Sequence, residues 1–269
     1  MEITMRKIAF FDVDGTLTSE IDGSIPASTV SAIRRARENG NLMFINTGRC
    51  FQNLEPRFRE IGFDGYICGC GTNIFCQGKE ILHVAQTHEV TMQLLKKARE
   101  TNIDIIFESR KETAFDMTRP LNNPECRKLY EEFVQRGYDM PENLEHPNFY
   151  CDKFVIWYQE PSQLEAFRSI SDRYFECIDR GGLFREFVPL GYSKATGIRY
   201  VLEYCGLDKD TAYAFGDSSN DIPMLQFVPN SIAMGNSSPD SLFEQVSYVT
   251  AKASEGGIEK GLKHFGFLD

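Results

Sequence analysis

Two aspartates stand two residues apart where the first apolar segment of this chain ends. Residues 10–16 read FFDVDGT, so Asp12 and Asp14 come just before a glycine turn. In an extended chain, side chains at this spacing point to the same side, and we expect the two carboxylates to share one small volume. Like charges that close repel, so one carboxylate keeps a proton or a cation joins them. The spacing indicates a metal site or an acid/base pair, with a polar Asp-Gly turn as the simpler alternative.

Two further motifs offer groups that could hold a phosphate. Thr47 and Gly48 follow the second apolar segment, and a hydroxyl beside a glycine suits the close approach of a phosphate oxygen. Lys194 begins an amphipathic helix, where its charge opposes the helix dipole unless an anion is nearby. Each motif alone is weak, because strand-to-helix turns and solvated lysines are common. Their positions in the chain relative to Asp12 favour a shared site.

A fourth motif, GDSSND over residues 216–221, follows another apolar segment. Asp217 is expected at the same sheet edge as Asp12, while Asn220 and Asp221 fall in the first turn of the next helix. Helix capping explains part of this motif. It does not explain why another acid should lie beside the first pair.

The predicted site is strongly acidic. It gathers up to four carboxylates, those of Asp12, Asp14, Asp217 and Asp221. The ammonium of Lys194 lies opposite them, and Arg49 is a second cation that could lie near. Such a cluster would be destabilising without compensation, and a divalent cation resolves it. The expected ligands are all oxygens, which favours Mg²⁺. Once the metal and Lys194 are in place, a phosphoryl group supplies the dianion that the site still needs.

The elements around these motifs predict an α/β protein with a doubly wound parallel sheet. Strands are predicted over Arg6–Phe11, Leu42–Asn46 and Ala212–Phe215, and helices over Pro26–Asn39 and Ala195–Cys205. Alternation of strands and helices is typical of parallel sheets, in which ligands bind beyond the carboxyl ends of the strands. The motifs are expected at that edge.

The middle of the chain is too long for a simple crossover. Between Arg49 and Lys194 lie 144 residues with their own predicted helices and strands. We predict an inserted α/β domain over residues 84–187, with residues 1–83 and 188–269 forming the core. The helices of the insert are expected near 87–101, 124–136 and 162–170, and its strands near 103–107, 153–157 and 174–178.

Composition excludes some partners. The chain has 269 residues, a formal charge of −10 and a pI of about 5.0, which disfavours nucleic acid and anionic membranes. No apolar segment reaches the roughly 18–20 residues that span a bilayer, and the N-terminus lacks an apolar signal region. A cytoplasmic protein with reduced cysteines is expected.

In this order, the four motifs resemble those of the haloacid dehalogenase superfamily of phosphohydrolases, over the whole chain. The insert looks like the type IIB α/β cap of the Cof-like subgroup. The resemblance implies a Rossmann-like core, Mg²⁺ and an aspartyl-phosphate intermediate. It also implies that Asp12 is the nucleophile and a metal ligand, and that Asp14 is the general acid/base and a metal ligand through its carbonyl. Thr47, Gly48 and Asn220 would contact the phosphate, and Lys194 would steady the nucleophile and the phosphate. Asp217 would be a further metal ligand, with Asp221 as its supporting partner.

The predicted function is a Mg²⁺-dependent phosphatase for small phosphomonoesters, with sugar phosphates favoured by the resemblance. A phosphotransferase or phosphomutase on the same scaffold is the nearest alternative, and a non-catalytic binding protein is the second. In the insert, Arg119 and Lys153 could bind a second anion, although solvated surface cations are the simpler interpretation. The aromatic residues Phe107, Phe115 and Trp157 could line a sugar pocket but are more often core.

Overall fold

A computed structural model describes residues 6–138, 140–141 and 143–269. The strands, in chain order, are β1 (Ile8–Phe11), β2 (Leu42–Asn46), β3 (Gly65–Cys68), β4 (Asn73–Cys76), β5 (Lys79–His83), β6 (Asp104–Glu108), β7 (Thr113–Phe115), β8 (Lys153–Trp157), β9 (Phe175–Asp179), β10 (Phe184–Pro189), β11 (Ala212–Ser218), β12 (Asn230–Ser238) and β13 (Tyr248–Val249). The α-helices are α1 (Ala27–Glu38), α2 (Pro56–Arg59), α3 (His88–Glu100), α4 (Pro124–Gln135), α5 (Pro161–Ser171), α6 (Lys194–Cys205), α7 (Ile222–Phe227) and α8 (Gly257–His264).

The chain divides into two compact units. The first runs to Arg49 and also contains Leu54–Leu82 and Tyr192–Asp269, while the second contains Cys50–Asn53 and His83–Gly191. The predicted domain boundaries at 83/84 and 188 stay a prediction, although the second of them falls inside β10. No helix in the described part of the chain has the length and apolar character that crossing a membrane requires.

The first unit is built on an eight-stranded sheet with the order β13-β12-β11-β1-β2-β3-β4-β5. Pairing is parallel from β13 to β3 and becomes antiparallel between β3 and β4. One face of the sheet packs against α1 and α8, and the other packs against α6 and α7. The predicted doubly wound parallel sheet is therefore confirmed. Because β1 lies between β2 and β11, the carboxyl ends of these three strands are neighbours.

The second unit contains a five-stranded sheet with the order β7-β6-β8-β10-β9, and the pairings of β6 with β7 and β8, and of β10 with β8 and β9, are antiparallel. Apolar residues of α3 and α5 cover one face, and α4 covers part of the other. Phe107, Phe115 and Trp157 are buried in these two clusters. The interpretation of these aromatic residues as core is confirmed.

Two local predictions were incomplete. The pattern of residues Phe51–Ile61 predicts a helix that Pro56 weakens in the middle, and the structure has a 3₁₀ turn, Phe51–Asn53, and the short α2 instead. Pro56 explains the break, because proline lacks an N–H and suits the first turn of a helix rather than its interior. Strands β4, β5 and β10 were not predicted, since strands of only four to six residues give little periodic signal.

Candidate active site

Asp12 and Lys194 form the centre of the site. Asp12 directly follows β1, and its N–H donates to the carbonyl of Phe215 on the neighbouring β11 (3.0 Å). The Nζ atom of Lys194 lies 2.5 Å from Asp12 Oδ1 and 2.6 Å from Asp221 Oδ1. Both Asp12 and Lys194 are buried, with 4% and 2% of their surface exposed. Sequence motifs separated by 182 residues thus meet in one buried ion-pair cluster.

The start of α6 holds Lys194 in this position. Ser193 caps the helix, its hydroxyl accepting from the N–H of Thr196, while the Thr196 hydroxyl accepts from the N–H of Ser193. The side-chain amide of Asn46, at the end of β2, donates to the carbonyl of Lys194 (3.0 Å). The charge of Lys194 opposes the helix dipole, and the two carboxylates supply the negative charge that the sequence predicted nearby.

Asp221 organises the fourth motif. Its Oδ2 atom accepts from the backbone N–H groups of Asp217 (2.9 Å) and Ser218 (3.1 Å), while its Oδ1 accepts from Lys194. Gly216 is required here, because a Cβ atom at that position would lie 2.6 Å from the Cβ of Asp221. Both oxygens of Asp221 are thus engaged, which suits a supporting role better than metal ligation.

The acidic cluster fits a divalent cation. Asp12, Asp217 and Asp221 each offer one carboxylate oxygen, and these oxygens lie within 4.8 Å of one another. Since Asp221 already binds Lys194 and two backbone N–H groups, Asp12 and Asp217 are the side chains that could hold the metal. An oxygen-only donor set is the kind that Mg²⁺ takes in proteins.

Burial and mutual repulsion perturb the titration of these groups. Burial raises the pKa of Asp12 to about 8, with Asp221 and Asp217 adding to the rise and Lys194 opposing it. Burial and the charge of Asp221 raise the pKa of Asp217 to about 7. Burial alone would lower the pKa of Lys194, but the paired Asp12 and Asp221 raise it overall. If Asp12, Asp217 and Asp221 were all ionised, their charge would exceed what the ammonium of Lys194 can balance. The metal-free cluster therefore keeps protons near neutral pH, and a divalent cation could replace them.

Asp14 is mostly exposed and is not one of the buried carboxylates of this cluster, although its charge is close enough to help raise the pKa of Asp217. The chain leaves the extended conformation after Asp12 and forms one wide turn, Val13–Leu17, with Gly15 at φ +78°. The Asp14 side chain is 63% exposed and pairs with the guanidinium of Arg49 at 3.0 and 2.5 Å. The extended geometry on which the predicted proximity of Asp12 and Asp14 rested ends where this turn begins, and that proximity stays a prediction.

The predicted phosphate contacts follow the strands that flank β1. Thr47 is buried at the end of β2, where its N–H donates to the carbonyl of Ile67 and its hydroxyl accepts from the N–H of Arg49 (3.2 Å). Gly48 follows it and is half-buried. Asn220 lies just beyond β11, where its Oδ1 accepts from the hydroxyl of Ser218 (2.5 Å). Sheet order thus brings the motif positions to one edge, while their roles stay predictions.

Three residues that touch the site were not predicted as part of it. The Thr16 hydroxyl donates to Asp217 Oδ1 (2.7 Å), and the Asn236 amide donates to the Gly15 carbonyl (2.7 Å). The third is Asn46. Arg49, which the sequence indicates only as a cation near the site, pairs with Asp14. Thr16 lies inside the first motif, so its position gave a signal, whereas Asn46 and Asn236 are single polar residues that no spacing rule distinguishes.

The two cations considered in the insert are not solvated surface groups. Lys153 is 3% exposed and its Nζ lies 2.8 Å from Glu108 and 2.5 Å from Glu186. Arg119 pairs with the buried Asp104 at 2.9 Å. The simpler interpretation was therefore wrong for both. Buried acids on the neighbouring strands hold these cations in ion pairs.

The chain matches the family model of the haloacid dehalogenase-like hydrolases over residues 9–262. YkrA of Bacillus subtilis (strain 168), whose name gives it as a candidate phosphatase, is 28% identical over 97% of this chain and 98% of its own length. The 5-amino-6-(5-phospho-D-ribitylamino)uracil phosphatase YitU of the same strain is 24% identical over 94% of this chain and 95% of its own.

Solved structures agree with this match. One of them is the structure of BT4131, which is described as a subclass IIB sugar phosphatase of the same superfamily. It superimposes on this chain with a TM-score of 0.79 at 28% sequence identity, and the superposition covers 97% of this chain and 99% of the BT4131 chain. The match spans both units and includes all four motifs. The chain therefore belongs to the haloacid dehalogenase-like hydrolase family, as one of its phosphatases.

Proposed function

We propose that this protein is a Mg²⁺-dependent phosphatase that cleaves small phosphomonoesters through a phosphoryl-enzyme on Asp12. The observation that carries the proposal is the pair of short contacts from Lys194 to Asp12 and Asp221, inside a buried cluster with excess negative charge. A buried carboxylate fixed by an ammonium is oriented for attack, and the excess charge provides a place for a metal.

Asp12 is assigned the first step. Lys194 holds Oδ1, which fixes the direction of Oδ2, and Oδ2 forms the new bond to phosphorus while the ester P–O bond breaks. Phosphoryl transfer depends mainly on positioning and on neutralising the charge of the phosphoryl oxygens. Lys194 and Thr47 are assigned to that task. A bound Mg²⁺, held by Asp12, Asp217 and the carbonyl of Asp14, would supply further positive charge.

Asp14 is assigned the proton transfers. It gives a proton to the leaving alkoxide in the first step, and it takes one from the water that later attacks the phosphorus and releases phosphate from Asp12. In the structure its carboxylate is bound by Arg49, so it must exchange that partner before it can reach a substrate. The exposed position of Asp14 leaves room for this exchange.

The substrate class follows from the relatives. YitU is named for a phosphorylated ribitylaminouracil, and BT4131 is described as a sugar phosphatase. Both names describe a phosphorylated small molecule with several hydroxyl groups. We therefore propose a small phosphorylated metabolite, with sugar phosphates as the first group to test.

The test is phosphate release from a panel of sugar phosphates, with Mg²⁺ or with EDTA, for the wild type and for Asp12→Asn. The wild type should release phosphate only with Mg²⁺, and Asp12→Asn should lose about 10⁴-fold or more in kcat because the nucleophile is gone. Asp22→Asn, an exposed acid in the same segment, is the matched control and should behave like the wild type. Full Mg²⁺-dependent activity of Asp12→Asn would contradict the assignment of Asp12 as nucleophile. Transfer of the phosphoryl group to an acceptor molecule, with no release of free phosphate, would indicate a transferase.

A further inference from the structure

Asn236, near the end of β12, joins two segments of the first unit through its side-chain amide. Its Nδ2 donates to the carbonyl of Gly15 (2.7 Å), and its Oδ1 accepts from the N–H of Ala253 (2.9 Å). Each end of the amide has a backbone partner of the matching kind, so the orientation of the side chain is fixed. A side chain held in this way constrains both backbones that it touches.

Gly15 is the residue between Asp14 and Thr16, and its surroundings are tightly defined. Its N–H donates to the Thr18 hydroxyl (3.2 Å) and its carbonyl accepts from Asn236, so both of its polar groups are engaged. A Cβ atom on Gly15 would lie 2.4 Å from Asp217 Oδ2. The backbone at residue 15 thus packs directly against a carboxylate of the proposed metal site, and moving it would disturb Asp217.

The same two segments are also joined at a second point, which touches no group of the site. Glu20 accepts from the N–H of Ser254 (3.1 Å) and from its hydroxyl (2.5 Å). The Glu20 contact therefore joins residues 253–255 to a residue that follows the turn Val13–Leu17. Only the Asn236 contact reaches the turn itself. Removing the Glu20 contact therefore tests whether the two segments merely need to be joined. Removing the Asn236 contact tests whether the position of the turn matters.

We propose that Asn236 is a positioning residue for the reaction, holding the Gly15 backbone so that Asp14 and Asp217 keep their places. The inference rests on the proposed function, since it concerns the residues assigned there to proton transfer and metal binding. Asn236 does not touch the substrate or the reacting atoms. It acts through the turn, where a displacement of about 1 Å can cost about 100-fold in rate.

The experiment compares Asn236→Ala with Glu20→Ala, each of which removes one of the two connections. Three quantities are measured: kcat and KM for p-nitrophenyl phosphate with Mg²⁺, and the Mg²⁺ concentration that gives half-maximal thermal stabilisation without substrate. Asn236→Ala should lower kcat by about 10- to 100-fold with little change in KM, and it should raise the Mg²⁺ midpoint. Glu20→Ala should change neither. Equal values for the two variants in all three measurements would overturn the proposal.

Two further results keep the test decisive. If Asn236→Ala does not fold, Asn236→Asp replaces it. The carboxylate still accepts from the Ala253 N–H, but it loses the donor to Gly15 and places a negatively charged oxygen against the Gly15 carbonyl. A folded Asn236→Asp protein with wild-type kcat would contradict the proposal. A wild type that releases no phosphate from any ester with Mg²⁺ would instead contradict the proposed function, and the Mg²⁺ midpoint, measured without substrate, would still report on Asn236.

Discussion

Each unit of this protein buries one lysine between two carboxylates. In the first unit Lys194 lies 2.5 and 2.6 Å from Asp12 and Asp221, and in the second Lys153 lies 2.8 and 2.5 Å from Glu108 and Glu186. Both lysine side chains are almost inaccessible, with 1% and 4% exposed. Judged by distances and burial alone, the two clusters are nearly the same.

Their charge balance differs. Beside Lys153, Arg180 lies 3.7 Å from Glu186, so two cations face two carboxylates. Around Lys194 a third carboxylate, Asp217, is close enough to raise the pKa of Asp12. A buried cluster with matched charges can serve the fold, whereas buried excess charge is costly and persists where a ligand balances it. Charge balance, rather than the geometry of the ion pair, therefore distinguishes Lys194, which is proposed to act in the reaction, from Lys153.

The largest effect is expected from breaking the balanced cluster. Lys153→Met leaves Glu108 and Glu186 buried without their shared cation, which should cost about 3–5 kcal/mol of unfolding free energy. Urea denaturation measures this loss. Arg168→Met is the control, because its pair with Asp172 is exposed and should be worth less than about 1 kcal/mol. A Lys153→Met protein as stable as Arg168→Met would show that the two clusters do not differ in this way.

Removing the other lysine should affect the reaction. Lys194→Met should lower kcat by about 10²–10³-fold, since the site loses the ammonium that orients Asp12 and meets the phosphoryl charge. Phosphate release per folded molecule, with folding checked by circular dichroism, gives the value. Retention of kcat within a factor of a few would place Lys194 with Lys153 as a structural residue.

Metal binding should also distinguish the cluster around Lys194 from the one around Lys153. Mg²⁺ at about 100 times its dissociation constant should stabilise the EDTA-treated wild type by about 2.7 kcal/mol. Asp217→Asn removes a proposed ligand and should abolish most of this gain, whereas Glu186→Gln, in the balanced cluster, should keep it. Melting temperatures with and without Mg²⁺ provide the comparison. An equal response of both variants would mean that the excess charge around Lys194 is not a metal site.

The sequence was sufficient for the parts of the site that depend on strand ends. Asp12, Thr47 and Asp217 each come at the end of an apolar strand. The order of the parallel strands brings such positions together independently of the side-chain conformations. Lys194 could be added because a lysine in the first turn of a helix calls for an anion. The convergence of these residues follows from the backbone alone.

The parts that depend on side-chain direction could not be predicted. The direction of the Asp14 side chain depends on the turn Val13–Leu17, which the sequence did not predict, and its carboxylate pairs with Arg49. Asn46 and Asn236 each donate a hydrogen bond to the backbone carbonyl of another segment, and Asn236 also accepts from the N–H of Ala253. Nothing in the local sequence distinguishes such an asparagine from one that faces solvent. The burial of Lys153 could not be predicted for the same reason, since its partners lie on strands that are adjacent in the sheet but distant in the sequence.

Per pH unit, the smallest predicted effect is the pH dependence of stability in the metal-free protein. The pKa values of Asp12 and Asp217, about 8 and about 7, lie above their ordinary value of 3.8, so the folded state keeps protons that the unfolded chain releases. Their contribution to stability is therefore fully present below about pH 4 and is lost as the pH rises toward 7–8, by at most about 1.4 kcal/mol per pH unit for each group.

Urea denaturation in EDTA between pH 5 and pH 8 measures this slope. Asp217→Asn removes one of the two groups and should flatten the decline, and it should be more stable than the metal-free wild type at pH 8 because one buried charge is gone. Saturating Mg²⁺ should flatten the decline of the wild type as well, since the cation replaces the protons. Glu186→Gln, from the balanced cluster, should leave the decline unchanged. A wild-type stability that rises over this range would mean that the cluster around Lys194 is as well balanced as the one around Lys153.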